Sequence, residues 1–311
     1  MKIKKVLITG GYGFIGSCVA RHLQAKGTDV AIMEHPNAKS PKELDGLEVL
    51  RADITDEESM CQAKLAGVDA VLHFAAQSSG PRSFSVPVLD VKLNVLGTVN
   101  VINWCLNNQV ERLLFASSFV VYGDHPERES LDEDVPCKPK SVYATSKMAS
   151  EYLLMNYAQP KGISWNSMRM FNVYGPGQDI TKPDQGVVGI FMNMLLQQNN
   201  VQVKGRLDRF RDLIYIDDVV HGWDLCLHSG AFNQVFNLGT GERKTLEELI
   251  KAIAHTMGKG KNLSIEEVAG TPGDIMGCYA DLTRIQKAIG FQPHYSLDQG
   301  LIKMWNWISN H

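Results

Sequence analysis

No apolar run in this 311-residue chain reaches the about 20 residues that cross a bilayer, so a membrane-spanning protein is not expected. The opening Met1-Lys-Ile-Lys-Lys passes at once into Val6-Leu-Ile-Thr-Gly10, too short and too soon glycine-bearing for a secretory leader. Cysteine is sparse and unpatterned. The six residues, at 18, 61, 105, 137, 226 and 278, contain no Cys-x-x-Cys pair, which argues against a disulfide framework and against a zinc site. Surplus charge is also missing. A formal net charge of -3 gives no electrostatic case for nucleic acid or an anionic membrane as partner. Repeats, low-complexity tracts and long charge blocks are absent. What remains, 44% hydrophobic and 21% charged, is an ordinary globular composition, long enough for one large domain or two modest ones with a substantial core, and the scattered cysteines fit a reduced, cytoplasmic setting.

What the chain does have is a rhythm. Val6-Leu-Ile, 29–33, 48–50, 70–73, 112–116 and 164–170 read as short, nearly continuous apolar strands. Helical patterns over 56–65, 84–107 and 141–159 separate most of them. Such alternation predicts a parallel sheet covered on both faces, wound by right-handed crossovers. The expected fold is α/β: a Rossmann-like doubly wound parallel sheet with a smaller C-terminal α/β substrate-binding lobe. The division falls near 175, giving a dinucleotide-binding part over 1–175 and a mainly substrate-binding part over 176–311. Leu213-Ile-Tyr-Ile216 and Val235-Phe-Asn-Leu238 are strand-like and able to return to the main sheet. Helices are expected near 184–198, 217–229, 245–257, 282–289 and 296–309.

The first strand ends in Thr9-Gly-Gly-Tyr-Gly-Phe-Ile-Gly16. A tight strand-to-helix turn, a close approach to pyrophosphate and close helix–sheet packing each favour a residue without Cβ. The helix that follows offers free N–H groups and the positive end of its dipole to phosphate. Glu34, 18 residues past Gly16 at the end of the second strand, stands where a carboxylate meets ribose hydroxyls. A carboxylate there repels a 2′-phosphate, so NAD is favoured over NADP, with His35 and Lys39 nearby to soften the preference. Asp53 has two readings: a partner for the adenine amino group, or an N-cap for the helix over 56–65. Tyr143 and Lys147 share a helix face by their spacing, which alone is equally well explained by an exposed amphipathic helix.

Taken in order, a longer set of stretches resembles the extended short-chain dehydrogenase/reductases that act on nucleotide sugars. They are the glycine turn, Ala52-Asp-Ile54, His73-Phe-Ala-Ala76, Asn94-Val-Leu-Gly-Thr98, Ala116-Ser-Ser-Phe-Val-Val-Tyr-Gly123 and Tyr143-Ala-Thr-Ser-Lys147. Arg169-Met-Phe-Asn-Val-Tyr-Gly-Pro176, Arg211-Asp-Leu-Ile-Tyr-Ile-Asp-Asp218 and Phe236-Asn-Leu-Gly-Thr-Gly241 complete them. The resemblance covers nearly the whole chain.

It implies that Tyr143 is the general acid/base, that Lys147 lowers its pKa and holds the nicotinamide ribose, and that Ser118 bonds the substrate hydroxyl. Ser117 is the neighbouring competitor for that last role. It assigns Gly10, Gly13, Phe14, Ile15, Gly16, Glu34, Asp53, Ile54, Phe74, Ala75, Ala76 and Asn94 to NAD, together with Tyr143 and Lys147. Oxidation of a sugar at C4 then leads to epimerisation, to 4,6-dehydration or to release. Family dehydratases carry Asp-Glu after the serine; here Phe119-Val120 cannot transfer protons, which favours a 4-epimerase of the UDP-galactose type. A dehydratase or 4-ketoreductase is the alternative, and a non-catalytic NAD-binding sensor a remoter one.

On the nucleotide-sugar side, which the resemblance implies is a UDP-sugar, Asn172 and Arg211 are the implied contacts, with Arg206 and Arg209 as nearby candidates. Thr271 replaces an arginine that the family often has, and Asp274 belongs either to the pocket or to a turn. Cys278 either leaves room for an N-acetyl group at the sugar C2 or is a buried strand cysteine. Asp217-Asp218 is expected to cap a helix beginning at Val219 rather than to bind a metal, and no metal is expected. The family commonly pairs as homodimers; 93–107 and 143–159 would supply the helices.

Overall fold

In the computed structural model, residues 3–125, 127, 130–261, 263–270 and 275–310 are described. Seven strands form one sheet: β1 (Lys5–Thr9), β2 (Asp29–Glu34), β3 (Glu48–Arg51), β4 (Ala70–His73), β5 (Arg112–Ser118), β6 (Ser164–Met170) and β7 (Gln234–Leu238). Their order across the sheet is β7-β6-β5-β4-β1-β2-β3, with every neighbouring pair parallel. The order reverses between β1 and β4, which places a crevice at the carboxyl ends of those strands.

Side-chain alternation explains why the strands read as continuous apolar runs. Val6 and Ile8 of β1 enter one core with Ile32, Leu72, Leu114, Met168 and Phe236. Leu7 enters the other with Met33, Val71, Leu113 and Trp165. A strand buried on both faces has no polar side to show. Each such residue contributes roughly 1.5–3 kcal/mol of burial.

Val235–Leu238 returns to the main sheet, as β7 beside β6. Leu213–Tyr215 does not; it pairs instead with Asn172–Tyr174 in a separate two-stranded parallel sheet. The C-terminal part adds the helices Val187–Gln197, Ile216–His228, Leu246–Thr256, Thr283–Ile289 and Leu297–Asn310. Leu249, Ile250 and Ile253 from it join the core that covers one face of the sheet.

Two helical expectations are corrected. The stretch 84–107 is not one helix. Pro87 forces Val86 out of helical geometry (φ -132°, ψ 57°), so Gly80–Ser85 and Pro87–Val91 are separate turns. A π-turn over Lys92–Leu96 then leads into α2 (Gly97–Asn107). The helix expected from Val219 begins at Ile216, so Asp217 and Asp218 lie in its first turn rather than at its cap. Asp218 instead accepts from the backbone N–H groups of His294 and Tyr295 at 2.9 and 3.1 Å.

Candidate active site

The glycine turn is held by main-chain geometry. Gly10 has φ +68°, and a Cβ there would stand 2.6 Å from the Ala75 nitrogen. At Gly16 a Cβ would meet the Gly10 carbonyl oxygen at 2.4 Å, so the helix packs tightly on the turn. Helix α1 (Phe14–Ala25) then starts with Gly13 as N-cap and no side chain capping it. Its first-turn N–H groups therefore face the crevice with the positive end of the dipole. Glu34 ends β2 alongside, its Oε2 accepting from the Tyr12 N–H at 3.1 Å.

These elements border a cavity of about 650 Å3, within the usual range for a cofactor site. Uncapped helix, missing Cβ atoms and a carboxylate at the strand end fit a dinucleotide with free ribose hydroxyls. All the residues assigned to NAD from sequence line this cavity except Asn94. Asn94 lies behind the cavity wall. It is 1% exposed, and its side chain is spent internally: Nδ2 donates to the Gln77 carbonyl (3.1 Å) and to Ser146 Oγ (2.9 Å), and Oδ1 accepts from Gln77 N–H (2.9 Å). The two readings of Asp53 also separate. Asp56 is the N-cap of helix Glu57–Gln62, whereas Asp53 lines the cavity and turns one oxygen back to Thr55.

Helix α3 (Val142–Leu153), capped by Ser141 through the Ala144 N–H at 3.1 Å, has a peculiar buried stripe. Tyr143, Ser146, Lys147, Ser150 and Glu151 recur at helical spacing and all are buried, so the inward face is polar. Every one of these groups needs a partner. Glu151 receives Arg169 through two bonds of 3.0 and 2.7 Å, and also the Ser117 and Ser167 hydroxyls at 2.5 and 3.0 Å. The Ser117 hydroxyl is committed to Glu151, while Ser118 hydrogen-bonds Tyr143.

Tyr143 is buried, and burial pushes its phenol up to about 12, opposed by the Ser118 hydrogen bond and reinforced by the charge of Asp90. Lys147 donates to the Ala116 carbonyl at 2.9 Å, with Nζ 5.9 Å from the Tyr143 ring centre. Burial brings its ammonium down to about 8, against the charges of Asp90 and Glu151. In the chain by itself, burial is the largest influence on both groups, raising the phenol and lowering the ammonium. Behind them His73 is held neutral, pushed down to about 3 by burial and by Lys147. Its Nδ1 lies 2.7 Å from Thr9 Oγ1 and its Nε2 3.2 Å from Thr98 Oγ1. The Thr98 hydroxyl donates onward to the Asn94 carbonyl, so Nε2 carries the proton and Nδ1 accepts.

Tyr143 also borders a second cavity of about 350 Å3, where Ser118, Asn172 and Arg211 converge. Phe119, stacked on Phe171 at 5.2 Å, and Val120 form an apolar wall beside Ser118. Arg211 is buried, its Nη1 donating to the Phe210 carbonyl at 2.7 Å, and burial brings it down to about 10. Arg206 lies exposed in an ion pair with Asp208, and Arg209 donates to the Arg206 carbonyl; neither lines this cavity. Cys278 is not among the described residues lining it; it is 1% exposed and burial pushes its thiol up to about 12, as the buried-cysteine alternative expects. Thr271 and Asp274 lie outside the described residues.

Sequence reading missed the segment after Tyr174. Gln178 and Gln185 line both cavities, and Asp184 accepts from Ser79 Oγ at 2.9 Å. It also missed Gln77, Asp90 and Ser146, whose signal lay in the polar stripe of α3. Among the described residues no group of three His, Cys, Asp or Glu side chains is arranged to hold a metal.

Residues 6–239 match the family described as NAD dependent epimerase/dehydratase. The chain belongs to that family. A UDP-glucose 4-epimerase of Mycolicibacterium smegmatis is 32% identical to it, over 98% of this chain and 99% of its own. The NAD complex of Thermus thermophilus UDP-glucose 4-epimerase superposes with a TM-score of 0.87 at 33% identity, covering 98% of this chain and 99% of the other. DesIV, a dTDP-glucose 4,6-dehydratase of Streptomyces venezuelae solved with NAD, reaches 0.90 at 28% identity, covering 99% and 97%. Membership makes this chain an NAD-dependent enzyme, and both reactions occur among its structural neighbours.

Proposed function

We propose that the chain is a nucleotide-sugar 4-epimerase, acting on a UDP-hexose or UDP-N-acetylhexosamine through a transient 4-keto sugar. The observation that carries the reading is the wall beside Ser118. Dehydration needs an acid and a base besides Tyr143, to take the C5 proton and release the C6 hydroxyl. Phe119 and Val120 offer neither, and among the described residues the other charged groups lining that cavity are engaged: Lys140 with Asp124, Asp184 with Ser79, and Arg211 with the Phe210 carbonyl.

In this reading Tyr143 accepts the proton of the sugar C4 hydroxyl, and Ser118 holds the same oxygen. Lys147 binds the nicotinamide ribose and keeps positive charge beside the phenol. Bound NAD supplies a cationic ring that favours the phenolate and reversible storage of the hydrogen that leaves C4. Arg211 and Asn172 hold the diphosphate, so the sugar ring is free to present its other face before Tyr143 returns the proton. Residues 1–175 with β7 carry the dinucleotide, and 176–311 supply most of the sugar-nucleotide side. Val88, Val91, Leu96, Tyr152 and Met155 leave an apolar face exposed near α2 and the end of α3, which supports pairing as a homodimer there. Among the described residues no helix is long and apolar enough to cross a membrane.

The test is to incubate the purified protein with UDP-, dTDP-, GDP- and CDP-sugars and to analyse the products. An isomer of unchanged mass with inverted C4 is expected from a UDP-sugar. A product lighter by one water contradicts the reading.

A further inference from the structure

The buried stripe of α3 contains one ammonium, Lys147, and two buried carboxylates flank it: Glu151 one turn along the helix, and Asp90, bonded at 2.6 Å to the adjoining Ser146. Their situations differ. Glu151 is held bidentately by Arg169, and both side chains are at most 4% exposed, so its charge already has a full partner. Asp90 is 0% exposed, yet its hydrogen-bond donors are neutral: Ser146 Oγ at 2.6 Å, Gln77 Nε2 at 2.7 Å and Asn94 Nδ2 at 3.3 Å. A buried carboxylate with neutral donors is costly unless a cation lies within reach. Conversely, Lys147 is 3% exposed and donates to the Ala116 carbonyl, a poor counter-charge for a buried ammonium.

We propose that Asp90 is a positioning residue whose carboxylate is the counter-charge that keeps Lys147 an ammonium beside Tyr143. The inference rests on the reading of Tyr143 and Lys147 as the acid–base pair. The surroundings are consistent with it. Ser146 bonds Asp90 and adjoins Lys147 in sequence; its hydroxyl also lies 2.9 Å from the Tyr143 carbonyl. The Phe115 ring centre is 4.7 Å from Nζ, and His73, the other titratable group at this point, is neutral. Gln77 is fixed by Ser79 through bonds of 2.6 and 2.8 Å, so Asp90 is anchored to the loop whose Ala76 and Ser78 line the dinucleotide cavity.

The sign of the effect is definite. Asp90 raises both Lys147, now at about 8, and Tyr143, now at about 12. Without its charge both groups titrate at lower pH. The ammonium is then lost earlier as pH rises and the phenol ionises earlier. Asp90→Asn should therefore slide the whole pH–rate profile toward acid. A residue that merely braces the fold would lower the profile without moving it.

The direct readout is NMR of protein carrying lysine labelled with carbon-13 at Cε, with the Lys147 signal identified by its loss in Lys147→Arg. Wild type should give a midpoint near 8, and Asp90→Asn one about a unit or more lower. Asp90→Ser is the second variant, with the same sign expected. An unmoved midpoint in a folded variant overturns the proposal. So does a wild-type midpoint well below 7, whichever variants fold. Failure of the epimerase reading is separable: it would show as no sugar nucleotide turned over by wild type while the Lys147 midpoint still depends on Asp90.

Discussion

The two cavities that meet at Tyr143 are built differently. The dinucleotide cavity is made largely by main chain. A positive φ at Gly10, two positions where Cβ does not fit, an uncapped helix start and a carboxylate at a strand end all arise within the first two strands. The second cavity, proposed for the sugar nucleotide, is made by side chains from segments far apart in sequence, among them 78–84, 117–120, 140–143, 170–173, 178–187 and 211. The first kind of site tolerates little change in backbone and much in distant sequence. The second is governed by how each side chain is already engaged.

That contrast can be broken at several points. The largest effect is expected where the cavities join. Tyr143→Phe should lower kcat by about 10²–10⁴-fold while the purified protein keeps its NAD, because the ring remains and the proton carrier is lost. Next comes the main-chain site. Gly10→Ala places a Cβ 2.6 Å from the Ala75 nitrogen in a positive-φ residue. It should cost about 3 kcal/mol of stability and strip the retained NAD, read by denaturant unfolding and by cofactor content. Arg211→Met should do the reverse. KM for the sugar nucleotide should rise about 10- to 100-fold, from lost charge-assisted hydrogen bonds, with NAD content unchanged. If Arg211→Met instead empties the dinucleotide cavity, the separation of the two sites is wrong. The smallest effect is expected at Cys278. Its thiol is buried outside the cavity, so Cys278→Ala should cost about 1 kcal/mol of stability and shift discrimination between hexose and N-acetylhexosamine by less than about twofold.

The same contrast explains what was legible beforehand. Strand and helix order could be read because buried parallel strands are apolar throughout, and the glycine turn because its chemistry is local. Pro87 could have split the helix expected over 84–107, since the residue before a proline leaves helical geometry. The internal partners of Asn94, Gln77 and Ser146, were not legible, because sequence shows a polar residue but not which neighbours engage it. Leu213–Tyr215 was assigned to the main sheet as one possibility because strand propensity does not name a partner, and its partner is Asn172–Tyr174. The pattern Tyr143, Ser146, Lys147, Ser150, Glu151 was visible as a polar stripe. It resembles an exposed face until burial shows that it points inward.

A sugar nucleotide carrying deuterium on C4 of the hexose, turned over in ordinary water and analysed by NMR, asks whether one hydrogen leaves and returns to the same carbon in a closed site. The expected product has inverted configuration at C4 with the deuterium still on that carbon. Inversion with the label washed out into solvent, or displaced to C6 with loss of water, would contradict a 4-epimerase working through Tyr143 and Ser118.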